Sequence, residues 1–327
     1  MSCTLSISIV NTNNKPLLRE CLKSLYGQEQ GISFETILVD NASTDGSSEM
    51  VRAEFPQVQV MQNTARKGFA ANHNQGIRAG RGKFILVLNE DTIVKPGALA
   101  AICDYLEKHP QTGAVGCRLE NPDGTLQPSC YKFPSPWRAL AENFLLVAAF
   151  PNARMFGDYR SWPHDAVRDV EFVSGAAITV RREVIETTGY LDEGFFIYAE
   201  ETDWCYRMRK DGWKVTFVPS ATIVHYGGQS SINIKDRQFC EFNRSALRYI
   251  RKHYGWWGAL IQRLSMIVGA LLRLPLWSAI YVVNRKESAR EKVKLWARLL
   301  KLWLGLGPHE GIREAAQKNS GAPSPIT

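Results

Sequence analysis

Short, largely apolar runs alternate with amphipathic stretches through the first 120 residues. Leu5–Val10, Thr36–Val39, Val58–Met61, Phe84–Leu88 and Ala114–Cys117 read as strands, each bounded by polar turn residues. Pro16–Tyr26, Thr44–Phe55, Gly68–Ala79 and Pro96–Lys108 carry helical periodicity. The second opens on Ser/Thr/Asp chemistry and the last has Pro in its first turn. Strand–helix alternation of this kind predicts an α/β fold with a mainly parallel sheet covered on both faces. Ligands of such sheets bind beyond the carboxyl ends of the strands. Asn121–Asp169, rich in Pro and aromatic residues, is expected to form loops and short helices over the sheet. Periodicity resumes with strands at Ala176–Val180, Val215–Val218 and Thr222–Val224, and helices at Arg181–Thr188 and Glu201–Lys210.

The pattern changes after Phe242. Arg244–Tyr254 reads as a basic amphipathic helix, and Leu264–Val283 is a 20-residue apolar run interrupted by Arg273 and Pro275. Glu291–Leu304 sets Val293, Trp296, Leu299, Leu300 and Trp303 on one helical face. Three regions are therefore expected: an α/β domain over 1–243, a basic helical region over 244–307, and a loosely ordered tail over 308–327.

Charge sharpens that division. The net charge is +8, yet thirteen Lys/Arg face only two Asp/Glu between Arg244 and Lys301. Basic residues interleaved with Trp and Leu are expected at an anionic membrane surface. The apolar run reaches spanning length, but Arg273 is costly in mid-membrane and Pro275 would kink the helix. A helix pair lying in or dipping into the interface is favoured over a span; a soluble helical subdomain packing the same stripe is the alternative. Nucleic acid is not an expected partner, because these basic residues belong to no recognition module. The seven cysteines are odd in number and form no CxxC pair, which argues against a disulfide scaffold or a zinc site and for a reducing compartment. The first residues resemble a strand rather than a signal peptide.

Candidate chemistry gathers where apolar strands end. Asp40 closes one strand and is followed by Asn-Ala-Ser-Thr-Asp45; its carboxylate can accept from a base or ribose, or act only as a cap and turn residue. Asn89-Glu90-Asp91 closes another, and oxygen ligands there suit Mg or Mn on a diphosphate, or make a polar turn. Glu200, Glu201 and Asp203 follow a run of aromatics at a predicted helix start, where acids are favoured by the dipole. An aromatic wall there would raise a carboxyl pKa toward that of a general base. His225 ends a strand and is a candidate metal ligand.

Taken in order, these segments resemble a family 2 glycosyltransferase with the GT-A fold, of the bacterial rhamnosyltransferase-like type. The matching stretches are Ile7–Asn13, Ile37–Ser47, Asn63–Gly76, Leu86–Thr92, Phe172–Ala176, Gly189–Arg209 and Gly212–Gly228, together covering about residues 4–250. The resemblance implies that 1–243 is the catalytic domain. It implies that Thr12, Asp40, Arg66, Gly68 and Asn89 bind the nucleotide-diphosphate sugar, that Asp91 and His225 hold Mg or Mn, and that the acidic pair carries the general base. Glu201 is the choice among Glu200, Glu201 and Asp203. Two positions depart from the family pattern: Asn89 begins the D-x-D place, and Glu201 stands where Asp is usual. Rhamnose from dTDP, a glycan or polyprenyl-linked acceptor, a cell-surface polysaccharide product and a peripheral or monotopic place on the cytoplasmic side of the inner membrane are implied likewise. The rival readings are a nucleotide-sugar-binding protein without catalysis and a nicotinamide-dependent oxidoreductase. No G-x-G-x-x-G follows the first strand, which counts against the second.

Overall fold

The computed structural model describes residues 4–144, 159, 162–227 and 235–306, with side chains from 241 onward in the last stretch. The expected tail at 308–327, Gly228, and residues 145–158 of the expected loop region lie outside them. The described residues form two compact units, one of 4–133 and 162–227, the other of 134–144 and 236–306.

The first unit is built on one large sheet. β1 (Leu5–Asn11), β2 (Phe34–Asp40), β3 (Gln59–Gln62) and β4 (Phe84–Asn89) run parallel in the order β3-β2-β1-β4. They are joined through α1 (Lys15–Tyr26), α2 (Ser47–Glu54) and α3 (Phe69–Ala79). Phe84 to Leu88 are all buried, as an unbroken apolar run must be when both sheet faces are covered. Leu5, Ile7 and Ile9 of β1 share one core with Leu18, Leu22 and Leu25 of α1. The winding reverses between β1 and β4, and that reversal opens a crevice at the carboxyl edge.

Beyond β4 the sheet is mixed. β11 (Ala177–Arg181) lies antiparallel between β4 and β6 (Thr112–Glu120), β12 (Lys214–His225) is parallel to β6, and β5 (Thr92–Val94) pairs antiparallel with β12. Small additions complete the edges: β7 (Leu126–Gln127) on β6, β9 (Arg168–Asp169) on β12, and β8 (Cys130–Tyr131) with β10 (Phe172–Val173). Helices α4 (Ala98–Lys108), α6 (Arg182–Thr188) and α7 (Glu200–Lys210) finish this unit.

Two expectations shift for local reasons. The strands expected at Val215–Val218 and Thr222–Val224 are one strand with an irregular register between them, where Pro219 cannot donate to the ladder. The helix expected from Thr44 begins only at Ser47, because Thr44 and Asp45 are used in the preceding turn: Thr44 N donates to Asn13 Oδ1 (2.7 Å) and Lys15 N to Asp45 Oδ2 (2.9 Å).

The second unit is helical: α5 (Pro136–Asn143), α8 (Lys235–Asn284) and α9 (Glu287–Trp303). Within α8 the chain leaves helical dihedrals at Gly255 (φ 70°, ψ −169°), just past the helix expected over Arg244–Tyr254, and Pro275 lies inside the helix. Only glycine enters that region cheaply. α5 packs closely on α8 because Gly269 has no Cβ to strike Asn143 Oδ1, and Asn143 Nδ2 donates to Ser265 Oγ (2.8 Å). Arg273 donates to Asn143 O (2.7 Å) and Glu142 O (3.1 Å) and lies 4.9 Å from the centre of the Trp296 ring. Its cation thus sits at the negative end of α5. The opposite face of α8 carries Leu264, Val268, Leu271, Leu272, Leu276 and Val282, all exposed. Glu241–Asn284 is long and apolar enough to cross a membrane, and little of its apolar stretch is buried.

Candidate functional site

The carboxyl ends of β1 and β2 are tied to the segment before α3. Asn41, one residue past β2, donates through Nδ2 to Thr12 Oγ1 (3.2 Å) and Lys67 O (3.1 Å), and accepts from Lys67 N through Oδ1 (2.7 Å). Asp40 is buried; it accepts from Ser43 N (2.9 Å) and from the Ser48 hydroxyl. Its carboxylate therefore closes its own turn, the turn role open from the sequence, and holds the Ser48 hydroxyl in the first turn of α2. Arg66 is exposed and makes no hydrogen bond or ion pair among the described residues. At Gly68 the constraint is steric, since a Cβ there would stand 2.6 Å from Phe196 O, the atom that accepts from Phe69 N (2.7 Å). The segment expected to approach a donor is thereby pressed against the loop that leads into α7.

A second group lies at the end of β4. Asn89 is anchored by its N–H on Ala176 O (2.9 Å), and Asp91 O accepts from Tyr226 N (2.9 Å). The β5–β12 pairing sets His225 opposite Thr92. His225 Nε2 is 3.3 Å from Asp91 Oδ1 and 3.4 Å from Asn89 Nδ2. Gln127 commits its Nε2 to Asn121 Oδ1 (2.9 Å) and His225 O (3.2 Å), so its Oε1 accepts from His225 Nδ1 (2.7 Å). That bond leaves Nε2 as a lone-pair atom. Asp91 Oδ1 is buried and accepts no hydrogen bond. Two acceptors this close suit a cation between them. Beneath them Cys21 is buried, and burial pushes its thiol up to about 12, so it remains neutral. Among the described residues no group of three His, Cys, Asp or Glu side chains is arranged to hold an ion.

The acids of α7 separate into different environments. Asp203 is wholly buried and binds Arg207 Nε (2.8 Å), while Arg207 also donates to Thr188 O and Tyr190 O (2.7 Å). It ties the first turn of the helix to Arg207 one turn on. Glu200 is buried at the first helical position. Glu201 is half-buried, and a Cβ on Gly175 would lie 3.4 Å from its Cγ. Loss of hydration raises its carboxyl from 4.5 to about 7, against smaller lowering by backbone N–H groups. Gly175 adjoins Ala176, whose carbonyl holds Asn89, so the surroundings of Glu201 and the end of β4 share one short segment.

Immediately before α7, Tyr198 (φ 70°) and Ala199 (φ 67°) are both left-handed. Each such residue costs about 1–3 kcal/mol and persists only where surrounding structure imposes it, commonly at functional sites. Their identities, Tyr and Ala, give no sign of this in the sequence. Gln127 was equally hidden, lying in an irregular stretch; Asn41 stood beside Asp40 without an assigned role. Thr12, Asp40 and Gly68 are thus joined through Asn41 and Lys67, and Asn89, Asp91 and His225 are in mutual contact.

Comparisons with known proteins bear on the family and the fold. The family described as glycosyltransferase like family 2 matches residues 4–246. The chain is 28% identical over 318 residues, 90% of its length and 98% of the relative's, to an N-acetylglucosaminyl-diphospho-decaprenol L-rhamnosyltransferase of Mycobacterium tuberculosis. It is 24% identical over 194 residues, 57% of its length and 70% of the relative's, to a rhamnosyltransferase of Escherichia coli. In fold it resembles a mannosyltransferase from Pyrobaculum calidifontis in complex with GDP-Man and Mn2+, with TM-score 0.57 and 15% identity over 94% of this chain and 87% of the other. With the family match spanning the whole first unit, the chain belongs to glycosyltransferase like family 2 and is a glycosyltransferase of GT-A-like fold.

Proposed function

We propose that the protein transfers a sugar, with rhamnose from dTDP as the first candidate, onto a hydroxyl of a lipid-linked glycan with inversion, as a step in cell-surface polysaccharide synthesis. The observation that carries this reading is Glu201: a half-buried carboxyl raised to about 7 has the proton affinity a general base needs near neutrality. Glu201 takes the acceptor's proton as its oxygen attacks the anomeric carbon; the bond to the nucleoside diphosphate breaks on the opposite side. One displacement inverts the configuration and requires no enzyme nucleophile.

Asp91 and His225, with Asn89 beside them, are the residues to hold Mg or Mn. The orphaned Asp91 oxygen and the oriented Nε2 fit an oxygen- and nitrogen-liganded cation that leaves positions for substrate phosphates. Such a cation supplies neutralisation of charge on the leaving diphosphate. Asn41 and Lys67 hold the donor segment in shape, and Arg66 is exposed for an anionic ligand. Asp203 is assigned a structural role, leaving Glu201 as the base.

The second unit is proposed to attach the enzyme to the cytoplasmic face of the inner membrane, as a peripheral or monotopic anchor. Its apolar stripe occupies one face of α8, with basic residues at both ends, as suits a helix lying in the interface. The lipid-linked substrate named for the Mycobacterium tuberculosis relative supports an acceptor held at that surface. Thermal-shift measurement with a panel of nucleotide sugars, with and without Mn2+, tests the reading. One donor should raise Tm strongly and only with metal. If no nucleotide sugar stabilises the protein under either condition, the reading fails.

A further inference from the structure

Helix α3 holds two distant segments with side chains two residues apart. Asn72 is fully buried; its Nδ2 donates to Lys67 O (3.1 Å) and Gly68 O (3.0 Å), and its Oδ1 accepts from Asn63 Nδ2 (2.7 Å). It fixes the donor segment. Asn74 is just as buried and bonds only to a segment 117 to 119 residues away: Nδ2 to Leu191 O and Glu193 Oε1, both 2.9 Å, and Oδ1 from Leu191 N (3.2 Å). The Leu191 pair imitates a rung of sheet, made by a side chain.

The segment held by Asn74 runs directly to the acids of α7. Its start is tied to α7 by Trp204 Nε1 on Gly189 O (2.8 Å) and by Arg207 on Tyr190 O (2.7 Å). Its far end touches the donor segment, through Phe69 N on Phe196 O (2.7 Å). It then passes through left-handed Tyr198 and Ala199 into Glu200 and Glu201. A backbone held in two consecutive unfavourable conformations relaxes unless it is fixed on the preceding side. Asn74 supplies that restraint from a helix that also fixes the donor segment.

We propose that Asn74 is a positioning residue that sets Glu201 in register with the donor segment, so that its loss lowers the rate of the bound complex and leaves donor affinity intact. The inference rests on Glu201 being the base. It requires no contact between Asn74 and substrate.

The test uses the full chain with Mn2+, dTDP-rhamnose and an N-acetylglucosaminyl-diphospho-polyprenol acceptor, reading kcat and KM from acceptor-dependent release of dTDP and Kd for dTDP by calorimetry. Asn74→Ala should lower kcat by roughly tenfold or more, since small misplacements near the chemistry are costly, while KM and Kd stay within about twofold. Asn74→Asp turns a carboxylate toward Glu193 and should be worse; Asn74→Asp/Glu193→Gln restores a donor opposite it and should recover much of the loss. Glu193→Ala, at an exposed position, preserves the fold and should lower kcat alone, by a few fold. Unchanged kcat in Glu193→Ala, a loss appearing in KM and Kd instead of kcat, or a double variant no better than Asn74→Asp would each overturn the proposal. Glu201→Gln separates the two readings: if it abolishes turnover while the Asn74 and Glu193 variants keep theirs, only the positioning role is lost.

Discussion

Replacing Glu201 by Gln should make the protein slower and more stable at once. The carboxyl is raised from 4.5 to about 7 by lost hydration, so its ionised form is disfavoured in the folded state. Below about pH 4.5 both folded and unfolded chains carry the proton, and Glu201 has no effect on stability. Between 4.5 and 7 the folded chain holds a proton that the unfolded chain has released, so stability falls as pH rises. Above 7 the full cost is present: a gap of this size corresponds to about 3 kcal/mol. Glu201→Gln, neutral at every pH, removes that cost. Urea unfolding at pH 8 should show the variant more stable by up to about 3 kcal/mol, with the gain vanishing near pH 4. Turnover should fall by roughly 10²–10⁴, the usual range for loss of a general base. Wild-type kcat/KM should lose about tenfold per pH unit on the acid side of 7, and the variant should lack that limb. A variant that retains turnover, or is destabilised equally at pH 4 and pH 8, would refute the assignment.

Two other consequences concern the metal pair and the anchor. Gln127→Ala removes the acceptor that orients His225 Nδ1, so Mn2+ should bind roughly 10–100-fold more weakly in calorimetry, and EDTA should abolish transfer by the wild type; unaltered Mn2+ affinity would free Gln127 from that role. Leu272→Glu with Leu276→Glu, both more than half exposed on α8, should reduce flotation with anionic vesicles about a hundredfold while leaving Tm unchanged. Undiminished flotation would remove the stripe from membrane attachment.

The repeating half of the fold was legible because most of β1, β2 and β4 is buried on both faces. Phe84–Leu88 can hardly be read otherwise, and the polar residues after such a run mark the sheet's carboxyl edge. Asn89, Asp91 and His225 were recognisable as strand-end groups, and the structure brings them into contact. What remained hidden depends on contacts between distant segments. Gly68 reads from the sequence as the first residue of a helix, with nothing to mark the contact with Phe196. Asp203 looks equivalent to Glu201 until Arg207 closes on it. β5 is only three residues long, too short for periodicity, yet it is what faces His225 toward Asp91. The left-handed pair at Tyr198 and Ala199 has no compositional mark.

Arg273 fixes an order of events for the C-terminal helices. Alone, α8 would carry a bare guanidinium halfway along its apolar length, a poor candidate for entering lipid. With α5 docked, the charge is held by the carbonyls of Glu142 and Asn143 instead of standing bare on the exposed apolar helix. On the proposed membrane role, contact with the bilayer follows assembly of the helices, and a fragment beginning after Asn143 should be a weaker insertion sequence than its hydropathy suggests.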